Sequence, residues 1–263
     1  FAAGARRESF DKETIDFTTD RAKQSLTAWE IQGSFDAAPM LNLFAKAGRS
    51  YRVPNSDENA FRAGASPLKA QTSRDYELGA TFGPAASQLV ARAFRHEIDG
   101  EIFFDPTIGF GVNTNLDPTR RQGVELDAKA RIGADWRVTG TLQHVEAEFT
   151  GGPNAGREMV LVPKNVVSAR LSWAPAGGHS ADIGVQWVDS QRFGNDFTNN
   201  CGVRIPGHTT VDARYARRVG QWEFALAGLN LGDKQYYSNA FICRGGIYPA
   251  DGRQFRVSAR YDF

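Results

Sequence analysis

The sequence predicts an all-β protein, an antiparallel transmembrane β-barrel portion of about twelve strands. Apolar and polar residues alternate with a period of two along many segments, which is typical of strands with two different faces. Many of these segments reach the ~9 to 11 residues that a tilted strand needs to cross a bilayer. The connections between them are short and long in turn.

Composition narrows the class of protein. The 263 residues include 31 basic and 30 acidic side chains, a net charge of +1, which argues against a nucleic-acid partner. The longest runs without a polar residue, such as Phe224–Leu229, are far shorter than the ~20 residues of a membrane-spanning helix. The chain begins with Phe1, and Phe1–Ala5 is too short for a signal peptide. We therefore expect that an upstream segment has been removed.

The alternation places the strands. We expect them near 1–10, 25–35, 40–51, 73–82, 87–104, 119–132, 136–149, 164–174, 180–193, 208–218, 222–232 and 252–263. Apolar positions two apart support five of them in chain order: Trp29, Ile31, Gly33 and Phe35; Tyr76, Leu78, Ala80 and Phe82; Val124, Leu126, Ala128, Ala130 and Ile132; Val167, Ala169, Leu171 and Trp173; and Phe255, Val257, Ala259, Tyr261 and Phe263. In 87–104 and 136–149 the apolar face changes parity, from Leu142 to Val145 in the second. That change predicts a bulge or emergence from an apolar environment.

The connections give the strands a direction across the membrane. Those after the even-numbered strands are short, whereas those after the odd-numbered strands are long: 11–24, 52–72, 105–118, 150–163, 194–207 and 233–251. Outer-membrane barrels have short periplasmic turns and long extracellular loops. Charged residues on the second face then point into a wet lumen, and the apolar face meets outer-membrane lipid and lipopolysaccharide. A soluble β-sandwich with one wet face is the alternative for the alternation alone.

Five segments resemble the C-terminal half of the barrel of TonB-dependent outer-membrane receptors. They are "SYRVPNSDE" (50–58), "SRDYELG" (73–79), "DPTRRQGVELDAKA" (117–130), "NLGDKQYY" (230–237) and "YPADGRQFRVSARYDF" (248–263). The resemblance implies a 22-stranded barrel closed by an N-terminal plug, which imports iron–siderophore complexes or similar scarce nutrients with energy from the TonB complex. It also implies that Phe255, Val257, Tyr261 and Phe263 form the C-terminal signal for the barrel-assembly machinery.

The chain departs from that family pattern in its extent. A TonB box, a plug and the first barrel strands are all absent, and twelve strands are about half of the 22. The whole chain, 1–263, is therefore expected to be a C-terminal portion of the barrel, because a half barrel alone would leave two unpaired edges in lipid. The alternative is a self-contained twelve-stranded outer-membrane barrel, either a porin or a lipase.

Two cysteines, Cys201 and Cys243, fall in long loops on the same predicted side of the membrane. Passage through the oxidising periplasm favours a disulfide between them. Two free thiols or a metal site are the alternatives, although two cysteines without histidines at matching spacing are a weak metal signal.

Ligand capture by such loops calls for arginine to bind anionic groups and aromatic residues to stack on them. The candidates for contact with a ferric siderophore or similar ligand are Arg192, Phe193, Tyr236, Tyr237, Phe241, Arg244 and Tyr248. Arg120 and Arg121 are better explained as braces of the barrel wall, and an arginine in a long loop is more often solvated or bound to lipopolysaccharide phosphate.

No catalytic group is predicted. The histidines, His96, His144, His179 and His208, are scattered over different strands and turns, and their spacing assembles no nucleophile–base pair. The glycine-rich Gly151–Gly156 lacks the lysine and following helix of a phosphate-binding loop. We expect no enzyme, no cofactor and no metal.

Overall fold

The computed structural model describes residues 1–15, 19–64 and 66–263. Twelve antiparallel strands form one sheet in chain order, interrupted by two small hairpins that lie outside it. The sheet strands are β1 (Ala2–Ile15), β2 (Thr19–Ala38), β3 (Leu41–Arg52), β4 (Gln71–Phe82), β5 (Gln88–Asp99), β8 (Thr119–Ile132), β9 (Trp136–Phe149), β10 (Asn165–Trp173), β11 (His179–Val188), β12 (His208–Val219), β13 (Trp222–Leu229) and β16 (Gln254–Tyr261). The hairpins are β6 (Ile102–Asp105) with β7 (Val112–Asn115), and β14 (Tyr237–Ile242) with β15 (Gly245–Pro249). A single short helix, α1 (Ser56–Ala60), completes the described elements.

Strand register gives the sheet an apolar outer face. Leu126 pairs with Leu142, and Leu142 pairs in turn with Val167 on β10. Each of these side chains belongs to the alternating apolar set, and such residues are exposed along the sheet from Ile31 to Val257. Because the face is continuous and carries large apolar side chains in the open, it is suited to lipid.

The opposite, inner face is polar. Asp127 pairs with Thr141, and the Thr141 hydroxyl is hydrogen-bonded to the hydroxyl of Ser168 on the next strand at 2.7 Å. The guanidinium of Arg92 donates to Glu125 at 2.5 Å, and Arg214 donates to Glu223 at 2.8 Å. These polar side chains of the inner face agree with the prediction of a wet lumen.

The apolar residues of β9 change face because the strand emerges from the apolar surroundings of the membrane, and not because the strand bulges. The register of β9 with β8 is unbroken from Phe149 to Trp136, so the predicted alternative of a bulge is wrong. Towards the long-loop end the inner face becomes apolar, and Ala147 and Phe149 are buried beneath loop residues such as Met159. At the same level the outer face becomes polar, with Glu148 bound to Arg120.

The first long connection, predicted at 11–24, is wrong. β1 continues to Ile15 and β2 begins at Thr19, and the two strands pair in register throughout; residues 16–18 lie outside the described residues. Polar pairs replace the missing apolar alternation, since Arg21 Nε donates to Asp11 at 2.7 Å. A strand pair that projects beyond the membrane is wet on both faces, so it shows no period-two pattern.

Other boundaries also move. The predicted strand 87–104 is two strands, β5 and β6, which are separated at Gly100 by a backbone with φ of 62°. The predicted strand 180–193 ends at Val188, and 222–232 ends at Leu229. Neither β6–β7 nor β14–β15 was expected, because four to six residues within a loop give too little alternation to recognise.

Five long connections emerge at one end of the sheet. We name them L1 (53–70, with α1), L2 (100–118, with β6 and β7), L3 (150–164), L4 (189–207) and L5 (230–253, with β14 and β15). The connections at the other end are the short turns at 39–40, 83–87, 133–135, 174–178 and 220–221. The alternation of long and short connections is thus confirmed from β2 onward.

The sheet is open in the part of the chain that the structure describes. β1 pairs with β2 alone and β16 pairs with β13 alone, so each has one unpaired edge. Among the described residues no helix is long and apolar enough to cross a membrane.

Candidate functional site in the long loops

The five long loops form a connected cap over the inner face. Asn115 of L2 accepts from the backbone N–H of Lys69 in L1 at 2.8 Å. Phe103 of L2 contacts Phe197 of L4, with 5.8 Å between ring centroids. Gly194 N of L4 donates to the carbonyl of Ala240 in L5 at 2.9 Å. Contacts of these kinds make the loops a single body and not independent segments.

Glu158 of L3 is the electrostatic centre of this cap. Its carboxylate accepts from Arg192 Nε at 2.9 Å and from both terminal nitrogens of Arg204 at 3.0 and 2.7 Å. Asn199 holds the Glu158 backbone from both sides, because its amide accepts from the N–H at 2.8 Å and donates to the C=O at 2.9 Å. One L3 residue therefore anchors three L4 side chains.

The contact between Glu158 and Arg204 stabilises the charged form of both side chains. Burial raises the pKa of the Glu158 carboxyl, but the hydrogen bond and charge of Arg204 outweigh it, and that pKa is below its usual value. The hydrogen bond to Glu158 raises the pKa of Arg204. Glu158 is consequently ionised at neutral pH and matched by more positive charge than it carries.

Asp196 shapes the turn that leads to the first cysteine. Its fully buried carboxylate accepts from Arg192 at 2.8 Å and from the backbone N–H groups of Asn200 and Cys201 at 2.8 and 3.0 Å. Cys201 and Cys243 form a disulfide with their Cα atoms 5.9 Å apart. Cys243 N also donates to the side chain of Asn195 at 2.8 Å, so L4 and L5 are joined covalently and by hydrogen bonds.

Two small hydrophobic clusters fill the cap. The first consists of Ala147, Phe149 and Met159, and the second of Phe193, Ile205 and Ala240. Every member of both clusters is almost fully buried. Both clusters of buried hydrophobic residues found in the described part of the chain therefore lie beneath the loops.

An aromatic cluster joins L2 to L5 at the surface of the cap. The ring of Phe241 contacts Phe104 at 5.4 Å and Tyr248 at 5.0 Å between centroids, the second edge to face. Phe104 and Tyr248 are 38% and 51% exposed. Gly111 lies against the tip of the Phe104 ring, where any Cβ atom would collide with it. This cluster leaves aromatic ring surface exposed on the cap.

The structure divides the predicted ligand residues into two groups. Arg192 is engaged by Glu158 and Asp196, and Phe193 is 2% exposed in the second hydrophobic cluster. Both side chains are occupied by contacts within the cap. Tyr237 packs against the same cluster, and Tyr236 stacks on His208 with 3.9 Å between centroids.

The remaining three candidates lie together on the L5 hairpin. Phe241 and Tyr248 face each other across it, and Arg244 is exposed in its turn with φ of 63°. No pattern in the sequence singles out Phe104 or Glu158. Phe104 lies in a hairpin too short to recognise, and Glu158 acts through residues more than thirty positions away.

Arg120 and Arg121, the residues expected to brace the barrel wall, both form ion pairs with neighbouring segments. Arg121 forms a two-point ion pair with Glu101 at the base of L2, with nitrogen–oxygen distances of 3.0 and 2.8 Å, and Arg120 binds Glu148 on the neighbouring strand. At the C-terminus, Phe255, Val257 and Tyr261 lie on the exposed outer face of β16. Tyr261 contacts the rings of Trp222 and Phe263, both near 5 Å.

Nothing in the described residues resembles a metal centre, since no group of three or more His, Cys, Asp or Glu side chains converges there. The four histidines stay apart as the sequence indicated: His96 binds Asp75, His144 binds Asn165 and His179 binds Tyr215, each on the sheet.

A family model described as TonB dependent receptor-like, beta-barrel, matches residues 1–231. The chain belongs to this family of TonB-dependent receptor barrels. The family consists of receptors and not of enzymes, and its barrels lie in the outer membrane. The resemblance drawn from the five sequence segments is thereby confirmed.

Two curated relatives of this TonB-dependent receptor barrel are transporters. The vitamin B12 transporter BtuB of Vibrio vulnificus is 25% identical over 251 residues, which are 93% of this chain and 38% of the relative. The ferrichrome outer membrane transporter/phage receptor of Escherichia coli is 25% identical over 279 residues, covering 99% of this chain and 36% of the relative. The chain thus spans less than half the length of the relatives it matches.

Solved structures show the same fold. The ferric-catecholate import receptor Fiu of Escherichia coli superimposes with a TM-score of 0.78 at 18% identity, over 99% of this chain and 42% of that one. The siderophore receptor PiuA of Acinetobacter baumannii gives 0.78 at 18% identity, over 98% and 40%. These are likenesses of fold, and the twelve-stranded sheet corresponds to part of each receptor barrel.

Proposed function

We propose that this chain is the C-terminal portion of the barrel of a TonB-dependent outer-membrane receptor that imports a ferric siderophore or a similarly scarce nutrient. The observation that carries the proposal is the family match over residues 1–231. The open sheet agrees with it, because β1 and β16 each need a further strand in lipid. Those strands and an N-terminal plug are assigned to the part of the receptor that precedes this chain.

The parts of the chain then have distinct roles. The apolar outer face anchors the barrel in lipid, and the polar inner face surrounds the plug. The cap binds the nutrient at the cell surface, after which the TonB complex drives rearrangement of the plug. This chain supplies twelve strands of the wall and the five long loops L1–L5 of the capturing surface.

Growth measurements test this function. Deleting the gene should abolish growth on one iron complex or on a cobalamin supplied as the scarce nutrient, and the wild-type gene should restore it. Dissipating the proton-motive force should stop uptake of the same compound, which separates this receptor from a passive porin. Unchanged growth of the deletion strain on every iron source and every cobalamin-type nutrient would contradict the proposal.

The ligand contacts that the cap favours are Phe104, Phe241 and Tyr248 with Arg244. The rings offer faces and edges for stacking, and the guanidinium offers charge to an anionic complex. Arg192 and Phe193 are left out of this set because their side chains are taken up inside the cap. Tyr236 and Tyr237 are placed next to the site as supports of L5.

Lipopolysaccharide is the second proposed partner. Arg49 and Arg74 lie directly opposite each other on the outer face near the long-loop end. Like charges placed directly opposite are unfavourable unless an anion lies between them, and among the described residues neither arginine has an acidic partner. Replacing both with Gln should lower the lipopolysaccharide that co-purifies with the receptor several-fold, whereas the inner-face control Arg131→Gln should not.

The barrel-assembly machinery is the third proposed partner. Trp222, Tyr261 and Phe263 form a row of contacting aromatic rings at the end of β16. All three side chains are exposed, so an assembly protein that recognises the C-terminal strand can contact them. Deleting Phe263 should reduce the amount of assembled receptor in the outer membrane, with the inner-face control Ser258→Ala unaffected. Equal assembly of both variants would contradict this role.

A further inference from the structure

A groove of 520 Å³ lies on the outer, lipid-facing side of the sheet between β9 and β16. Its walls are large apolar side chains that stand well clear of the sheet: Trp136, Leu171, Ile183, Tyr215, Leu226 and Phe255, each at least 37% exposed.

Three small residues form the floor of the groove. Ala181, Ala213 and Gly228 lie on the adjacent strands β11, β12 and β13, and Ala213 pairs directly with Gly228. Leu231 folds over Gly228 so closely that a Cβ atom there would lie 2.5 Å from its Cδ2. The recess is therefore continuous across three strands, and Leu231 and Phe255 close it at one end.

The other end of the groove opens towards the short turns. Trp136 and Trp173 flank it there, with 6.1 Å between ring centroids, next to the turns at 133–135 and 174–178. Paired tryptophans at strand ends are typical of the membrane–water interface. The short turns are periplasmic, so the groove enters the membrane from its periplasmic leaflet.

Cationic and polar groups stand at this opening. Arg217 and His179 are paired neighbours on β12 and β11, on the same outer face as Trp173. His179 Nδ1 is 2.7 Å from the Tyr215 hydroxyl, and Arg217 donates to the Gly177 carbonyl at 2.8 Å. Among the described residues these are the only hydrogen bonds of the two side chains, so further N–H groups of Arg217 and the Nε2 atom of His179 are available to a ligand.

We propose that this groove binds one acyl chain of a phospholipid of the periplasmic leaflet, and that Arg217 and His179 bind the phosphate of its headgroup. The apolar recess fits the chain, and the cationic rim at the interface level complements the phosphate. Lipopolysaccharide is disfavoured as the occupant because its phosphates lie at the opposite surface of the outer membrane. The proposal depends on the outward orientation of this face and not on which nutrient the receptor carries.

Photocrosslinking in the complete receptor tests the site. The receptor is placed in vesicles of phosphatidylethanolamine and phosphatidylglycerol that contain a trace of phosphatidylglycerol with a diazirine in mid-chain, and adducts are mapped by peptide mass spectrometry. We expect adducts on 170–187 and 209–229 to exceed those on the equally exposed outer face of β4 and β5 about fivefold. Adducts distributed evenly over the outer face would overturn the proposal.

Substitutions separate the chain site from the headgroup site. Ala213→Leu fills the floor and should remove the excess of adducts, while Ala169→Leu, which adds the same group outside the groove, should leave it. Arg217→Gln combined with His179→Gln should equalise labelling by the phosphatidylglycerol probe and by a diacylglycerol probe that lacks phosphate. An unchanged excess of adducts in Ala213→Leu would contradict the acyl-chain site. An unchanged preference for the phosphatidylglycerol probe in the double variant would contradict the headgroup site.

Two controls complete the experiment. Heat-modifiable electrophoretic mobility checks that each variant is a folded barrel, and nutrient uptake is measured separately, so a failed lipid site is distinguishable from a failed transport function. In outer-membrane vesicles, labelling of the groove by lipopolysaccharide with a diazirine in its lipid chains, in place of phospholipid, would overturn the assignment of the occupant.

Discussion

At the residue scale, the loop side chains with the most contacts are structural. Arg192 illustrates the difficulty of reading them in sequence, since an arginine beside a phenylalanine in a long loop suits an anionic aromatic ligand. In the structure its guanidinium binds Glu158 and Asp196, and Phe193 is buried next to it. The exposed aromatic residues of L2 and L5 are the ones that we propose as ligand contacts.

Replacing Glu158 with Gln should destabilise the cap by about 1 to 3 kcal/mol, because Arg192 and Arg204 would lose their shared, partly buried counter-charge. Glu146→Gln, at an exposed position of β9, is the matched control and should cost less than about 0.5 kcal/mol. Urea unfolding of the receptor in lipid measures both. Equal stability of the two variants would contradict the role of Glu158.

Acid should weaken the same contact. The pKa of the Glu158 carboxyl is lowered in the folded protein, so its stabilising effect is complete above the unfolded pKa of about 4.3 and is lost as the pH falls through the folded value. The stability difference between wild type and Glu158→Gln should therefore be constant near neutral pH and shrink below about pH 4. A difference that grew on acidification would have the wrong sign.

Tyr248→Ala should weaken binding of the nutrient about tenfold, a change of ~1.4 kcal/mol. The substitution removes the exposed ring of the aromatic cluster, while Phe241 keeps its contact with Phe104. Phe82→Ala removes an aromatic ring of similar exposure next to a short turn and should leave affinity unchanged. Equilibrium titration of the receptor with the nutrient identified by growth decides between them.

At the element scale, the same strand has a different chemistry at each level. β9 is apolar outside and polar inside along its membrane half, and the reverse beneath the loops. Gly123 on β8 lies at the change, where any side chain would collide with the carbonyl of His144. A sequence pattern records the parity change but does not say whether the strand bulges or the surroundings change, and here the surroundings change.

The disulfide should hold L4 to L5 and stabilise the segment between its two cysteines, which includes β12 and β13. Closing a loop of 42 residues contributes about 4 kcal/mol in the chain-entropy model. Replacing Cys201 and Cys243 with Ser should expose L4 and L5 to limited proteolysis while heat-modifiable mobility is retained. Thiol labelling of the unreduced, denatured wild-type receptor checks the bridge itself, and reactive thiols at both Cys201 and Cys243 would contradict it.

At the scale of the whole molecule, the two free sheet edges are the dominant fact. β1 and β16 are the outermost strands and do not pair with each other in the part that the structure describes. In lipid each unpaired backbone group is costly, so closure requires further strands. This distinguishes part of a large barrel from the self-contained twelve-stranded barrel that was the alternative.

Electrophoresis tests closure. The complete receptor should migrate faster when unheated, as closed barrels do, whereas residues 1–263 produced alone should show no such shift. A heat-modifiable shift of residues 1–263 by themselves, as a monomer, would favour the self-contained barrel. Measuring the oligomeric state in the same sample excludes closure by a second copy.

The sequence by itself determined the strands, the two faces of the sheet, the alternation of short and long connections and the family. The first three follow from a local period of two and from the lengths of the connections, which the sequence displays directly, and the family follows from the five matching segments. The tertiary structure decided which loop residues are internal, such as Arg192 and Phe193, and that Ala181, Ala213 and Gly228 meet in one groove. Those outcomes depend on register across strands and on contacts between residues dozens of positions apart, and no local pattern in the sequence specifies either.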